Sequence, residues 1–326
     1  MNVLVTGGAG FLGGYVMASL ETAGHTATAY DMAPPGPETI DVSPSLASRL
    51  RLGQVDDLAR LFDVCRAERI EAIVHAAGIV GLETSLLQPA ATYQTNIMGL
   101  VNVCEAARQL RMRKVIFISS NAAYHPGSGD RLVETDPPFS VRDGNPAGHY
   151  GTSKMAGEAI GIAYATFQEV DFLSLRVTAI YGFGMRSPMY IKPMVENAVL
   201  GLPTRFATGG PMKRDYTHVF DCCDAIVLAL DAPRWPEGEQ RVLNVAAGKT
   251  CTALDVAATV RKIIPDASIE IGDTLTPLEE RNVKMRAPLD VSAAKRLLGW
   301  SPKWPLEAGI RQYADRYRRY VEATRN

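Results

Sequence analysis

Tyr150 and Lys154, in the run His149-Tyr150-Gly151-Thr152-Ser153-Lys154, stand four apart in a stretch that reads as helix. That spacing puts both side chains on one helix face. A free phenol has a pKa of about 10 and is a poor base at neutral pH. An ammonium group beside it favours the phenolate and draws that value down. A tyrosine tuned this way can take a proton from an alcohol, or return one, while a hydride moves. Tyr and Lys are also common on solvated helix faces. The pair therefore gains meaning only from the rest of the chain.

The other end of the chain supplies a partner for that chemistry. Thr6-Gly7-Gly8-Ala9-Gly10-Phe11-Leu12-Gly13 joins a short apolar run, Asn2–Thr6, to a helical pattern reaching about Ala23. Gly7, Gly10 and Gly13 permit a tight turn. The backbone there, Phe11 and Leu12 included, can approach a pyrophosphate resting on the helix N-terminus. Asp31 follows Gly13 by 18 positions, at the end of the second strand pattern. Its carboxylate can accept hydrogen bonds from the ribose hydroxyls of NAD. It would repel the 2′-phosphate of NADP, and no Arg or Lys stands at positions 8–9 or 32–33 to offset that. NAD is the expected cofactor.

The elements that must position these residues alternate. Strand patterns fall at 2–6, 26–30, 49–52, 72–75, 114–119 and 171–177. Helical patterns lie between them, over 58–66, 93–110 and 150–167. Apolar strands of four to six residues separated by helices predict an α/β fold, a Rossmann-type doubly wound parallel sheet covered on both faces. Such sheets bind ligands at the carboxyl ends of their strands. From about Ala179 the rhythm breaks. Helices are readable at 193–200, 221–230, 253–264, 292–298 and 306–323. The expected division is a dinucleotide-binding domain over 1–178 with returning segments at about 216–246. A smaller, partly interleaved substrate domain takes 179–215 and 247–326.

Bulk numbers exclude several classes of partner. The 326 residues are 47% hydrophobic and 21% charged, with 34 basic and 35 acidic residues and a formal net charge of -1. No basic block favours nucleic acid or a membrane surface. No apolar run reaches the roughly 18 residues that span a bilayer. The first residues already read as strand and turn, without the pattern of a signal peptide. Cys65, Cys104, Cys222, Cys223 and Cys251 are odd in number and lack CxxC spacing, as expected of reduced thiols in a cytoplasmic protein. The five histidines are scattered, and no metal site is expected.

TGGAGFLG, His75-Ala76-Ala77-Gly78, the IFISSNAAY run (116–124), YGTSK and RDYTHVFD (214–221) occur in that order. Together they resemble the extended short-chain dehydrogenase/reductase family, the NAD-dependent epimerases and dehydratases acting largely on nucleotide sugars. The resemblance covers nearly the whole chain, ending with LGWSPKWPLEAGI (298–310). It implies that Ser120 hydrogen-bonds the reacting oxygen, with Ser119 a weaker match for that role. It implies that Tyr150 is the acid/base, and that Lys154 lowers the tyrosine pKa and holds the nicotinamide ribose. Asn96 matches a helix asparagine near the active site, or is an interhelical polar contact. Gln54 stands where the family has an Asp that reads the adenine, with Val55 contributing backbone. Ala76, Ala77 and Gly78 are small, which suits a strand end under the cofactor. The family's pairing through its two long helices, here 93–110 and 150–167, implies a homodimer.

The substrate side departs from the pattern. Dehydratases place an Asp-Glu pair after the catalytic Thr, and Asn121 and Ala122 here cannot shuttle a proton. Dehydration is set aside, and Asn121 is left as a substrate contact. Arg214 matches an arginine that clamps a nucleotide-sugar pyrophosphate, a role suited to forked donors. An ion pair with Asp215 is the competing reading. Arg281 aligns loosely with a second clamp. The family's RPxNVYG is here Arg176-Val177-Thr178-Ala179-Ile180-Tyr181-Gly182, and Phe220-Asp221 stands for its Asp-Asp pair. His125 and Pro126 follow Tyr124 instead of the usual Gly. Two enzymatic readings follow. One is a nucleotide-sugar epimerase, acting at C4 of a UDP-hexose through a transient ketone. The other is a dehydrogenase of a free sugar, polyol or hydroxy acid. A non-catalytic NAD-binding regulator would predict decay of Ser120, Tyr150 and Lys154, all of which are present.

Overall fold

The computed structural model describes residues 1–124, 130–136, 138, 140, 144–145, 147–284 and 287–325. Its centre is a sheet of seven parallel strands: β1 (Asn2–Thr6), β2 (Thr26–Asp31), β3 (Leu50–Leu52), β4 (Ala72–His75), β5 (Lys114–Ser120), β6 (Phe172–Val177) and β7 (Val242–Val245). The spatial order is β7-β6-β5-β4-β1-β2-β3. The direction of winding reverses between β1 and β4, and a crevice opens there at the carboxyl ends.

Alternation along each strand divides the core into two layers. Val3 and Val5 face one side, with Met17 and Leu20 of α1 (Phe11–Thr22). Leu4, Ile73, Val115 and Phe117 face the other, with Leu61 of α2 (Leu58–Ala67) and Leu100 and Val103 of α3 (Gly99–Gln109). These side chains are fully or almost fully buried. Burial of each contributes about 1.5–3 kcal/mol before conformational entropy is charged against it.

The helix α4 (Gly148–Gln168) lies unusually close to the sheet. A Cβ added to Gly157 would stand 2.9 Å from the Phe117 ring, and one at Gly161 would stand 2.0 Å from the Phe172 ring. Absence of side chains at these two positions lets α4 sink onto β5 and β6. That approach carries Tyr150 and Lys154, at its N-terminal end, down to the mouth of the crevice.

Beyond Val177, the helices Ile191–Leu200, Ala253–Ile263 and Leu306–Arg325 surround a separate apolar core. It contains Tyr181, Met194, Val195, Val256, Val260, Ile310 and Tyr313. Two-residue and three-residue strand pairs stitch this part together, Lys213–Arg214 pairing antiparallel with Cys251–Thr252. The chain returns to the sheet twice. The helix α5 (Val219–Asp231) and β7 do so first. Residues 292–300 do so again: Ala294 and Trp300 belong to the sheet-side core, and the Trp300 indole donates to the Asp221 carbonyl at 3.0 Å. The sequence reading assigned all of 247–326 to the second unit, so the interleaving is deeper than expected.

The expected single helix over 93–110 is divided. Pro89–Tyr93 is α-helical, Gln94–Met98 forms a π turn, and α3 follows. The short helices Pro37–Val42, Leu82–Leu87 and Pro277–Lys284 carry too few apolar repeats to be read from sequence.

Candidate active site

The glycine turn begins where β1 stops. Gly7 has φ +71°, and a Cβ there would stand 2.7 Å from the Ala77 nitrogen. A Cβ on Gly13 would stand 2.1 Å from the Gly7 carbonyl oxygen. The turn is thus pressed against Ala76–Ala77 on one side and against the first turn of α1 on the other. Gly10 caps α1 without a side-chain hydrogen bond, and no acidic residue occupies that first turn. Amide donors and the positive end of the helix dipole therefore face the crevice, an arrangement suited to an anion.

Asp31 ends β2 beside this turn. Its Oδ2 accepts from the Ala9 amide at 3.0 Å and its Oδ1 from the Met32 amide at 2.8 Å. These bonds fix the carboxylate against the glycine turn. The Gln54 side chain is exposed, and its backbone carbonyl accepts from the Tyr30 hydroxyl at 3.0 Å. Val55 is buried, and its carbonyl accepts from the Asn102 amide at 3.0 Å. Gly78 lies at the floor, where a Cβ would stand 3.1 Å from Asn96 Oδ1 and 3.8 Å from Lys154 Nζ.

Asn96 explains the π turn. Its Oδ1 accepts from the Ile79 amide at 2.7 Å, and its Nδ2 donates to the Ile79 carbonyl at 3.0 Å and to Ser153 Oγ at 2.9 Å. The widened turn lets one side chain fix both the segment after β4 and the face of α4. Such π turns recur at functional sites. Of the two roles open to Asn96, the interhelical contact to Ser153 is present and lies against the crevice floor.

Ser120, Tyr150 and Lys154 converge from β5 and α4. Ser120 caps the 3-10 turn Asn121–Ala123, its Oγ accepting from the Ala122 amide at 3.1 Å and donating to Asn121 Oδ1 at 3.4 Å. Burial raises the Tyr150 phenol above its ordinary value, and hydrogen bonding with Ser120 pulls the other way. Lys154 Nζ donates to the Ile118 carbonyl at 2.7 Å and lies 4.8 Å over the Phe117 ring and 5.9 Å from the centre of the Tyr150 ring. Burial pushes it down to about 8, with Glu158 acting in the opposite sense. In this geometry the ammonium is committed to β5. Among the described residues no hydrogen bond joins it to Tyr150.

Ser119 is excluded from the reacting position by its partners: it is buried and donates to Glu158 Oε1 at 2.6 Å. Asn145 escaped the sequence reading. Its Nδ2 donates to the carbonyls of Ala122 and Ala123 at 3.0 and 3.3 Å, fixing the turn that carries Ser120 and Asn121. No periodicity or motif marks it. Glu158 was also missed, although its i+4 spacing from Lys154 was readable.

In the strand Lys213–Arg214, Arg214 is half-buried, and its Nη1 is buried without a hydrogen-bond partner among the described residues. Burial lowers its pKa. Asp215 makes no ion pair with it among the described residues. Its Oδ2 accepts from the Leu289 amide at 3.1 Å, and burial pushes the carboxyl up to about 6. The competing reading of Arg214 is therefore overturned by geometry. Arg281 falls in the helix Pro277–Lys284, and its side chain lies outside the described residues, as do His125 and Pro126. Ala179 adopts φ +36°, a left-handed conformation unfavourable to a residue with a Cβ.

Sheet order, glycine turn and the acidic residue after β2 define a Rossmann-type dinucleotide-binding protein. A model of the NAD dependent epimerase/dehydratase family matches residues 3–246, three quarters of the chain, and the protein belongs to that family. It is similar to UDP-glucose 4-epimerase of Lacticaseibacillus casei, 27% identical over 93% of this chain and 92% of the relative. It is also similar to the probable UDP-glucuronate 4-epimerase of Rhizobium meliloti, 24% identical over 97% of each. Among solved structures it is similar to the Thermus thermophilus UDP-glucose 4-epimerase complex with NAD. That likeness has a TM-score of 0.81 at 26% identity, covering 98% of this chain and 99% of that one. The residues present fit the family's cofactor. The turn is a cradle that added Cβ atoms would fill, the helix N-terminus adjoins it, and Asp31 is a carboxylate held beside it.

Proposed function

We propose that the protein is a nucleotide-sugar 4-epimerase acting on a UDP-hexose or UDP-hexuronate. The observation that carries this reading is Arg214. Its guanidinium has a buried nitrogen with no hydrogen-bond partner among the described residues, which is costly unless an anion completes it. The forked donors suit a pyrophosphate. A free sugar or polyol would leave that charge unmet, so a net dehydrogenase of such substrates is the weaker reading.

Bound NAD supplies the hydride acceptor and donor. Gly7, Gly10, Gly13, Phe11 and Leu12 would hold its pyrophosphate, and Asp31 the adenosine ribose. Gln54, Val55, Ala76, Ala77, Gly78 and Asn96 would line the rest. Ser120 holds the sugar hydroxyl oxygen, with Asn121 beside it. Tyr150 takes the hydroxyl proton as the carbon is oxidised and returns it to the ketone oxygen as the carbon is reduced on its other face. Lys154, released from Ile118 toward the nicotinamide ribose, would favour the Tyr150 phenolate. Arg214 holds the pyrophosphate while the keto sugar turns over. Arg281 is the second candidate for that clamp.

Two further expectations belong to this reading. The groove of Glu105, Arg108, Ala163, Tyr164, Phe167 and Gln168, between α3 and α4, with Phe167 77% exposed, suits pairing of two copies into a homodimer. Five free cysteines suit a reducing, cytoplasmic compartment. No helix among the described residues is long and apolar enough to cross a membrane. The function is tested by incubating purified protein and NAD with UDP-glucose, UDP-glucuronate and free sugars, and separating the products. Interconversion of a UDP-sugar with its 4-epimer is expected. Oxidation of a free sugar, with UDP-sugars untouched, would overturn the reading.

A further inference from the structure

Lys154 is followed, one helical turn on and on the same face, by Glu158. Glu158 is 4% exposed and fully engaged. Its Oε1 accepts from Ser119 Oγ at 2.6 Å and from Arg176 Nε at 2.9 Å, and its Oε2 accepts from Arg176 Nη2 at 2.6 Å. Three consecutive residues of β5 thus meet α4 in order. The Ile118 carbonyl takes Lys154, the Ser119 hydroxyl takes Glu158, and Ser120 faces Tyr150. Arg176 of β6 closes the far side. It lies 4.2 Å over the Tyr124 ring and donates to the Glu134 carbonyl at 3.3 Å.

We propose that Glu158 is a positioning residue. Its carboxylate, locked by Ser119 and Arg176, fixes the register of α4 on β5 and keeps the Lys154 side chain an ammonium. The proposal rests on the role assigned above to Lys154. A buried guanidinium–carboxylate pair in which both carboxylate oxygens accept hydrogen bonds is rigid, and it sits one helical turn from the lysine. The other charged or titratable groups around Lys154 do not replace it. His75 of β4 is held neutral, pushed down to about 3 by burial and by Lys154 itself. Tyr150 is raised. Arg176 has the wrong sign. Glu134 stands beyond Arg176, receives the Asn244 amide, and is raised by burial.

Removing the carboxylate alone strands the buried guanidinium. Two variants are therefore compared with the wild type: Glu158→Gln, and Glu158→Gln combined with Arg176→Met, which leaves no buried ion unpaired. The lysine Cε carbons are labelled and titrated by NMR in the full-length protein, with the Lys154 signal assigned by its loss in Lys154→Arg. Wild-type Lys154 is expected to titrate near 8, and the variants about one pH unit lower. Turnover should follow. The alkaline limb of the kcat profile moves down by the same amount. Activity at pH 8.5 then falls about tenfold, whereas at pH 6.5 it falls less than about twofold. An unchanged Lys154 titration, with turnover reduced equally at all pH values, would overturn the proposal and leave Glu158 a structural residue. The NMR titration needs no substrate. A wild-type protein inactive on UDP-sugars would sink the proposed reaction without deciding this comparison.

Discussion

The two walls of the crevice are built differently. On the cofactor side a methyl group at Gly13 would stand 2.1 Å from the Gly7 carbonyl, and one at Gly8 would stand 2.6 Å from Ala29 Cβ. Backbone lies against backbone, and the donors are main-chain amides. On the side we propose for the substrate, an Arg214 guanidinium nitrogen is buried without a hydrogen-bond partner among the described residues, and Ala179 is held left-handed. The first wall is shaped by close backbone packing, and its left-handed residue is a glycine, Gly7, which bears that conformation without strain. The second keeps an unmet charge and a strained residue, both of which cost stability without a ligand. A binding site for the reacting molecule, where binding can relieve those costs, is the kind of place such costs persist.

The comparison can be broken at four points. Tyr150→Phe should lower turnover about 10²–10⁴-fold while NAD affinity, followed by protein fluorescence, changes little. Surviving turnover would remove the tyrosine from its role. Gly13→Ala should abolish measurable NAD binding and destabilise the fold by about 1–3 kcal/mol in urea titration. Tight NAD binding in that variant would show slack where none is described. Arg214→Met should raise the KM for a UDP-sugar about 10–100-fold, the equivalent of about 1.5–3 kcal/mol, with kcat nearly unchanged. An unaltered KM would take the clamp away from Arg214. Ala179→Gly should stabilise the protein by about 0.5–1 kcal/mol, seen as a higher Tm. A lower Tm would mean that the left-handed turn is not strained.

The sheet, the glycine turn and the Tyr150–Lys154 face were legible because each depends on local periodicity or on residues that only one backbone geometry explains. The π turn at Gln94–Met98 was not. It exists because Asn96 reaches Ile79 and Ser153, and such long-range bonds leave no local period. The freedom of Arg214 from Asp215 was equally hidden, since it depends on Leu289 turning its amide to that carboxylate. The i, i+4 spacing of Tyr150 and Lys154 marks a shared helix face, yet it says nothing of the Ile118 carbonyl of β5, to which the ammonium donates. The packing of Ala294 and Trp300 on the sheet-side core was not legible, because an isolated short helix gives no sign of which core will receive it.

The central claim is that a hydride leaves a sugar carbon of a UDP-sugar and returns to the same carbon on its other face. UDP-glucose carrying deuterium at C4 tests this directly, or UDP-glucuronate if that is the sugar turned over. The label is followed by mass spectrometry of product and cofactor. The account predicts a 4-epimer that retains deuterium at C4, with no labelled NADH released to solution. Deuterium accumulating in free NADH with a ketone or acid product, or a 4-epimer that has exchanged its label with water, would contradict it.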